Sequence, residues 1–172
     1  MTTPVVFLCT GNAARSVMAG AALSAHLPEW QVTTAGTLVV EGQPMSVRTR
    51  TALERVGLAA PHHRSRQAGP ADLDHAALVI ALAPEHVLWV RRTHQVAGPR
   101  TATLRRLVRD LPDGPESLAA RVAQLDLANV ELGNWEEVID PGGGDVGTYA
   151  ACAAEVVELV AQLAGRLDDS RG

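Results

Sequence analysis

The stretch Val5–Ser16, with the sequence VVFLCTGNAARS, decides the fold of this chain. Its beginning belongs to an apolar, β-branched run, Pro4–Leu8, which predicts a strand buried on both faces, as in a parallel sheet. The Gly-Asn pair that follows predicts a tight loop, and Ser16–Leu27 has the composition of a helix that ends at a proline. A strand, a tight loop and a helix in this order are typical of an α/β protein.

Strand and helix patterns continue to alternate along the rest of the chain. Further strands are predicted at Gln31–Ala35 and Leu78–Ala83. Further helices are predicted from Pro44 or Met45 to Val56, and at Pro84–Arg92, Glu116–Asp126 and Val146–Leu167. The stretch between Thr93 and Gly114 fits either a short strand near Thr101–Leu107 or an Arg-rich helix. We therefore expect one α/β domain with a mostly parallel sheet over residues 1–168, followed by a frayed tail at 169–172.

The composition is that of a globular domain with an acidic balance. Apolar residues make up 47% of the 172, which excludes intrinsic disorder, collagen and coiled coils. The formal net charge is −4, so we expect no nucleic-acid partner, because the phosphate backbone requires a strong positive field. The 15 basic residues are all arginines, which excludes a catalytic lysine and the lysine of a Walker-type nucleotide-binding loop.

The cysteines and the apolar runs bear on compartment and cofactors. Cys9 and Cys152 are too few for a disulfide framework, and no CxxC pair or Cys/His ladder indicates a structural zinc site. No apolar run approaches the roughly 20 residues of a membrane-spanning helix, and no signal peptide is visible. We therefore expect a cytoplasmic protein with no metal, no organic cofactor and no membrane partner.

Cys9–Ser16 has the form C-x5-R-S, and this spacing suits the binding of a tetrahedral oxyanion. The residues between the cysteine and the arginine can wrap one phosphate with their backbone N–H groups pointing inward, and the following helix adds its positive end. Gly11 and Asn12 tolerate the left-handed backbone angles that such a loop requires. Arg15 can bind two phosphate oxygens at once. The residues expected to bind the substrate phosphate beside Cys9 and Arg15 are Thr10, Gly11, Asn12, Ala13, Ala14 and Ser16.

The same positive surroundings favour the thiolate form of Cys9, and Ser16 can donate a hydrogen bond to it. A thiolate at this position can attack phosphorus and form a phosphocysteine intermediate. The alternative is an inert buried thiol at the end of a strand. The strand before the motif and the helix after it favour the catalytic interpretation.

Asp140 is the candidate general acid. A phosphate ester needs a proton on its leaving oxygen, and a carboxylic acid on a mobile loop can supply it and then act as a base toward water. Asp140 stands where an apolar run gives way to the glycine-rich segment Gly142–Gly144, which is typical of such a loop. The alternative is an ordinary turn, because Asp-Pro pairs favour turns.

Four motifs, in the same order along the chain, resemble those of the low-molecular-weight protein tyrosine phosphatases. Cys9–Ser16 resembles the phosphate loop C-x-G-N-x-C-R-S of that family, and Thr34–Thr37 (TAGT) resembles its Ser-Ala-Gly-Thr segment. His63–Gln67, with Asp72-Leu73 after it, resembles the H-x-x-R-Q segment, and Asp140-Pro141 resembles the Asp-Pro loop. These matches span nearly the whole chain.

The resemblance implies a fold, a reaction and roles for several residues. The implied fold is a single domain with a four-stranded, twisted parallel sheet flanked by helices on both faces. The implied reaction is cysteine-dependent hydrolysis of a phosphomonoester, with Asp140 as the general acid and Asn12, Thr34 and His63 as supports of the loop. The implied partner is a phosphorylated protein or a small phosphomonoester, and inorganic phosphate is the product.

The chain departs from the family pattern at three places. Ala14 replaces the second loop cysteine, which can form a protective disulfide with the nucleophile, so overoxidation of Cys9 is the predicted hazard. Gly142 and Gly143 stand where the family often has aromatic residues, and Leu38–Val40 stands where another is common. The walls that would clamp a phosphotyrosine ring are therefore partly missing, which leaves a smaller or different substrate open.

Two other functions stay open from the sequence. Thiol-dependent arsenate reductases share the fold and a loop that begins C-T-G-N, and arsenate is also a tetrahedral oxyanion. A relay through three cysteines of one chain is excluded, but an external small thiol is not. A non-catalytic module that binds phosphate or a phosphorylated protein would need the loop and Arg15 but not Asp140.

Two features outside these motifs also carry expectations. Arg105, Arg106 and Arg109 are predicted to form a solvated helix face, with a basic patch for an acidic partner as the alternative. Trp135 shortly precedes Asp140 and fits either the mouth of the pocket or an anchor in the core.

Overall fold

A single parallel sheet forms the centre of the protein. The computed structural model describes residues 2–168, so the predicted tail at 169–172 lies outside the described residues. The strands are β1 (Pro4–Cys9), β2 (Gln31–Gly36), β3 (Leu78–Ala81) and β4 (Thr101–Thr103). They pair in parallel in the order β2-β1-β3-β4, so the expected four-stranded parallel sheet is confirmed.

Helices connect and cover the strands. Within residues 2–168 the α-helices are α1 (Arg15–His26), α2 (Val47–Arg55), α3 (Pro70–Leu73), α4 (Pro84–Thr93), α5 (Leu104–Asp110), α6 (Leu118–Ala123) and α7 (Val146–Leu167), and two short 3-10 helices span Gln95–Arg100 and Asn134–Glu136. The predicted helix after β2 begins later than expected, because the Ser46 hydroxyl accepts the Thr49 N–H at 3.2 Å and caps the first turn there. The ambiguous stretch holds both predicted elements, since α5 follows β4 directly.

Both faces of the sheet are buried, which explains the unbroken apolar run of β1. Val5 and Phe7 point into the larger core cluster, which includes buried residues of α1, α2, α5 and α7. Val6 and Leu8 point into a second cluster with residues of α3 and α4. Successive side chains of a strand point to opposite faces, so a strand covered on both sides needs apolar residues throughout.

α7 is the helix among residues 2–168 that has the length and apolar composition to cross a membrane. A core helix of a globular protein meets the same criteria. Val156, Val160 and Leu163 of α7 are fully buried in the larger core cluster, so one face of the helix belongs to that core.

The expected solvated arginine face on α5 is wrong for Arg106. Its guanidinium is buried and forms an ion pair with the fully buried Glu136 through hydrogen bonds of 2.8 and 2.9 Å. A buried carboxylate requires such a partner. Arg109 covers the ring of Trp135 at 3.8 Å from its centroid, and Arg105 pairs with Glu155. Through these contacts the three arginines attach α5 to Trp135, Glu136 and Glu155.

The topology places the functional site at the carboxyl end of β1. From β1 the chain passes through α1 to β2 on one side, and β3 then pairs with β1 on the other side. Such a reversal of strand order leaves a crevice above the carboxyl ends of the strands, where ligands of open α/β sheets bind. The loop after Cys9 begins at this point.

Candidate active site

The loop of residues 10–14 runs from the end of β1 to the start of α1. Cys9, the last residue of β1, is buried, and Arg15 is the first residue of α1. No side chain caps the N-terminus of α1, so the first N–H groups of the helix remain available to an anion bound in the loop. The left-handed angle expected in the loop falls on Asn12 (φ 51°) and not on Gly11.

A chain of hydrogen bonds leads from the cysteine to Asn12. The Cys9 Sγ and the Ser16 Oγ are 3.0 Å apart, and the Asn12 Nδ2 donates to the same Ser16 Oγ at 2.9 Å. Because the amide of Asn12 already occupies an acceptor position of that oxygen, the hydroxyl proton of Ser16 is free to point at the sulfur. A hydroxyl that donates to sulfur stabilises the thiolate.

Asn12 is fully buried and fixes the loop through both its side chain and its backbone. Its Oδ1 accepts the backbone N–H of Arg66 at 3.0 Å, which sets the orientation of the amide, and its Nδ2 also donates to the Thr34 Oγ1 at 3.0 Å. Its carbonyl oxygen accepts from the His63 Nε2 and the Ser65 Oγ, both at 2.8 Å. Thr34 and His63 therefore both lie against the loop.

His63 donates a hydrogen bond from its Nε2 to the backbone carbonyl of Asn12. Burial lowers the pKa of His63, and the hydrogen bond to the Asn12 carbonyl partly opposes that effect. The carbonyl oxygen can only accept, so the Nε2 carries the proton.

Gly36, at the end of β2, forms a wall of the loop. A Cβ at this position would lie 2.4 Å from the Thr10 carbonyl oxygen and 2.9 Å from the Asn12 nitrogen. The next two residues attach to the loop, since the Thr37 N–H donates to the Cys9 carbonyl and the Leu38 N–H to the Thr10 carbonyl, both at 3.0 Å. This close approach explains why the Thr34–Thr37 motif contains glycine.

Arg15 connects the loop with the segment that carries Asp140. Its guanidinium is 3% exposed, donates to the Val138 carbonyl at 3.0 Å and lies 3.5 Å from the Asp140 carboxylate. The Val138 N–H donates to the Leu82 carbonyl at 2.8 Å, which ties the segment to the carboxyl end of β3. Asp140 itself is 59% exposed, and its Oδ1 accepts the Gly142 N–H at 2.9 Å.

His86 is a site residue that the sequence analysis missed. It is the third residue of α4, is 1% exposed, and its Nε2 lies 2.9 Å from the Thr10 Oγ1. Burial, with a contribution from the Arg15 charge, lowers the pKa of His86 to about 3. Its position in the chain could have indicated a place in the site, because α4 starts just beyond β3, at the same sheet edge as the loop.

The second cysteine lies on α7 next to the Asp140 segment. The Cys152 Sγ is 3.9 Å from the Ile139 carbonyl, and both cysteines are free thiols. Burial raises the pKa of Cys152 to about 11, so its thiol stays protonated. The buried Ala14 occupies the position of the second loop cysteine of the family. That Cys9 is therefore prone to overoxidation stays a prediction.

Aliphatic side chains are exposed in the two segments that bind the loop and Arg15. Leu38 and Val40, in the segment after β2, and Ile139, beside Asp140, are all largely exposed. Residues 2–168 contain no cluster of three or more His, Cys, Asp or Glu side chains that could hold a metal ion. The site thus combines a cysteine, an arginine, a helix N-terminus and one exposed carboxylate around a crevice.

The chain is similar in sequence to known phosphatases along nearly its whole length. The family model described as low molecular weight phosphotyrosine protein phosphatase matches residues 4–171. The protein-arginine-phosphatase of Geobacillus stearothermophilus is 30% identical over 164 residues, covering 95% of each chain. The low molecular weight protein-tyrosine-phosphatase PtpB of Staphylococcus epidermidis is 23% identical, covering 92% of this chain and 95% of the relative.

A solved structure agrees with these sequence matches. The YwlE arginine phosphatase from Geobacillus stearothermophilus superposes with a TM-score of 0.78 at 29% identity, covering 98% of this chain and 95% of that chain. The agreement extends over the whole sheet and its helices, and not over the loop motif alone.

Proposed function

Since the chain belongs to the low molecular weight phosphotyrosine protein phosphatase family, and is thus a phosphatase, we propose that it hydrolyses a phosphorylated protein side chain through a phosphocysteine at Cys9. The observation that carries the proposal is the contact of Cys9 with Ser16 at the N-terminus of α1. The hydroxyl and the helix end both favour a negatively charged sulfur.

Cys9 attacks phosphorus, and the bond to the leaving group breaks as the bond to sulfur forms. The backbone N–H groups of residues 10–14 and the guanidinium of Arg15 stabilise the charge on the phosphoryl oxygens in the transition state. Arg15 suits this role because the Val138 carbonyl fixes one end of its fork, and the other end lies 3.5 Å from the Asp140 carboxylate, a partner that a phosphoryl group can replace.

Asp140 is the proposed general acid and base. Its carboxylic acid protonates the leaving atom in the first step, and the resulting carboxylate takes a proton from the water that releases phosphate from Cys9. Asp140 pairs with Arg15 at 3.5 Å. Binding of a phosphoryl group gives Arg15 a new anionic partner and releases Asp140 to face the leaving group.

Phosphoarginine is the proposed substrate group, in preference to phosphotyrosine. One relative, 30% identical over nearly the full length, is a protein-arginine-phosphatase. The exposed side chains of Leu38, Val40 and Ile139 are aliphatic and offer no ring for the stacking that favours an aryl phosphate. Breaking a P–N bond also requires protonation of the leaving nitrogen, for which Asp140 is the proposed donor.

The cytoplasm is the proposed compartment. Cys9 must stay reduced to act as a nucleophile, and a reducing compartment keeps it so. Inorganic phosphate is the proposed second product.

Hydrolysis of a plain aryl phosphate in the presence of a chelator tests the proposed reaction. Cys9→Ser is expected to lose about 10⁶-fold in kcat, as for other enzymes that lose their nucleophile, and still to bind phosphate. Cys152→Ser, the matched control, is expected to keep the rate. Wild-type protein that binds phosphate without turnover would indicate a binding module, and arsenate-dependent oxidation of a small thiol would indicate a reductase.

Two peptides of one sequence, phosphorylated on arginine or on tyrosine, test the substrate. We expect kcat/KM to be at least about tenfold higher for the phosphoarginine peptide, which corresponds to about 1.4 kcal/mol of transition-state stabilisation. A higher value for the phosphotyrosine peptide would overturn the substrate assignment and leave the reaction intact.

A further inference from the structure

His86 contacts the phosphate loop but has no part in the mechanism described above. Its imidazole is buried at the first turn of α4, with the Nε2 2.9 Å from the hydroxyl oxygen of Thr10. Thr10 directly follows the nucleophile, and its carbonyl is already bound by the Leu38 N–H. The backbone of Thr10 is therefore fixed, and His86 decides where its hydroxyl points.

The surroundings of His86 determine its protonation. The charged groups that face it are Arg15, Glu85 and Asp140, and burial together with Arg15 keeps the ring neutral. A carboxylate oxygen of Glu85 lies 3.4 Å from the Nε2 and can only accept a hydrogen bond, so the proton of the neutral ring belongs on the Nε2. The same proton reaches the Thr10 Oγ1.

The other ring nitrogen shows that the imidazole is not present for packing alone. The His86 Nδ1 is buried and has no hydrogen-bond partner. An unpartnered buried polar atom lowers stability, which an apolar side chain of similar size would avoid. The chain carries this destabilising atom at a residue that contacts the loop, and such exceptions to good local packing concentrate at functional sites.

We propose that His86 is a positioning residue: its Nε2–H donates to the Thr10 Oγ1 and thereby directs the hydroxyl proton of Thr10 toward the phosphoryl group bound in the loop. With one acceptor position of the Thr10 oxygen occupied by the imidazole, the hydroxyl proton turns away from the ring. The loop then offers the transition state one side-chain donor in addition to its backbone N–H groups. The inference rests on the proposed function, because it concerns the same phosphoryl group.

A double-mutant cycle on kcat for an aryl phosphate tests this role. His86→Leu and Thr10→Val are each expected to lower kcat about tenfold, the effect of one lost hydrogen bond, with little change in KM. The double variant is expected to be no slower than either single variant, because both remove the same donor. His86→Gln, which keeps an N–H donor, is expected to recover part of the rate.

His94→Leu serves as the matched control. His94 ends the same helix and stacks on Trp89, at the other end of α4 from the loop. We expect this variant to keep wild-type kcat. The deficit of His86→Leu is expected to stay constant between about pH 5.5 and pH 8, because a neutral ring does not titrate there.

The outcomes separate this inference from the proposed function. A wild-type protein without turnover contradicts the proposed reaction itself. An active wild type in which Thr10→Val keeps the full rate, or in which the losses multiply in the double variant, overturns the role of His86. If His86→Leu does not fold, His86→Gln replaces it in the same cycle with Thr10→Val, and a full rate of Thr10→Val or multiplied losses in the double variant again overturn the role of His86.

Discussion

The phosphate loop and the segment around Asp140 meet at one edge of the sheet, but they are held in different ways. Asn12 is fully buried, and its amide and carbonyl bind five other residues of the chain. Asp140 is 59% exposed, and its carboxylate contacts Gly142 and Arg15. The loop is therefore rigid before substrate binds, whereas the carboxylate can move.

This difference follows from the chemistry of each part. Oxyanion stabilisation requires donors fixed in advance, because reorganisation during the reaction would cost free energy. A general acid must reach a leaving group that arrives and departs, so an exposed segment suits it.

Asp140→Asn is expected to have the largest effect. It removes the proton donor and leaves the loop intact, so kcat for an aryl phosphate should fall roughly 10²–10⁴-fold while phosphate affinity stays within about twofold. Steady-state kinetics and a phosphate titration measure the two values. Asp145→Asn, which alters the cap of α7 in the same segment, is the control and should keep kcat. Full activity of Asp140→Asn would mean that the acid is another group.

Asn12→Ala is expected to affect both stability and activity. It removes three side-chain hydrogen bonds and places alanine at a left-handed angle, which together should lower the free energy of unfolding by about 4 kcal/mol. Urea unfolding measures this change, and weaker phosphate binding should accompany it. A stable variant with normal phosphate affinity would show that the loop keeps its shape without this residue.

One glycine in each region allows a matched comparison. Gly36→Ala would press a methyl group against the Thr10 carbonyl, and we expect a loss of at least about 3 kcal/mol and of most activity. Gly143→Ala meets no neighbour but has φ +79°, so only strain of about 1 kcal/mol is expected, with kcat retained. Thermal unfolding and kinetics compare the two, and equal losses would contradict the contrast between the regions.

His86 gives the smallest expected effect, a dependence of stability on pH. Its pKa is about 3 in the folded protein and about 6.5 in the unfolded chain, so the unfolded chain binds more protons in between. Stability is therefore present above about pH 6.5 and falls, by up to about 1.4 kcal/mol per pH unit, as the pH drops toward 3. Urea unfolding at several pH values between about 6.5 and 4.5 gives the free energy of unfolding at each pH. This free energy should fall less steeply with decreasing pH in His86→Gln than in the wild type. Identical slopes would mean that the imidazole is protonated as easily as in water.

Much of the fold was predictable because its signals are local. The apolar runs located β1, β2 and β3, and the long periodic pattern gave the bounds of α7 as the structure has them. The secondary structure between Thr93 and Gly114 could not be assigned from the sequence, because a strand of three residues and a helix of seven follow one another there without a break. Neither is long enough to establish a period.

The phosphate loop can be predicted from the sequence, because Cys9, Asn12, Arg15 and Ser16 are near one another along the chain and one strand–loop–helix unit brings them together. Which distant residues complete the site follows instead from the packing of the folded chain. His86 reaches Thr10 across 76 positions of the chain, and Arg106 is buried because Glu136 needs its charge. Such contacts depend on strand order and on burial, which are properties of the packed molecule. They therefore produce no characteristic residue spacing that a sequence motif could reveal.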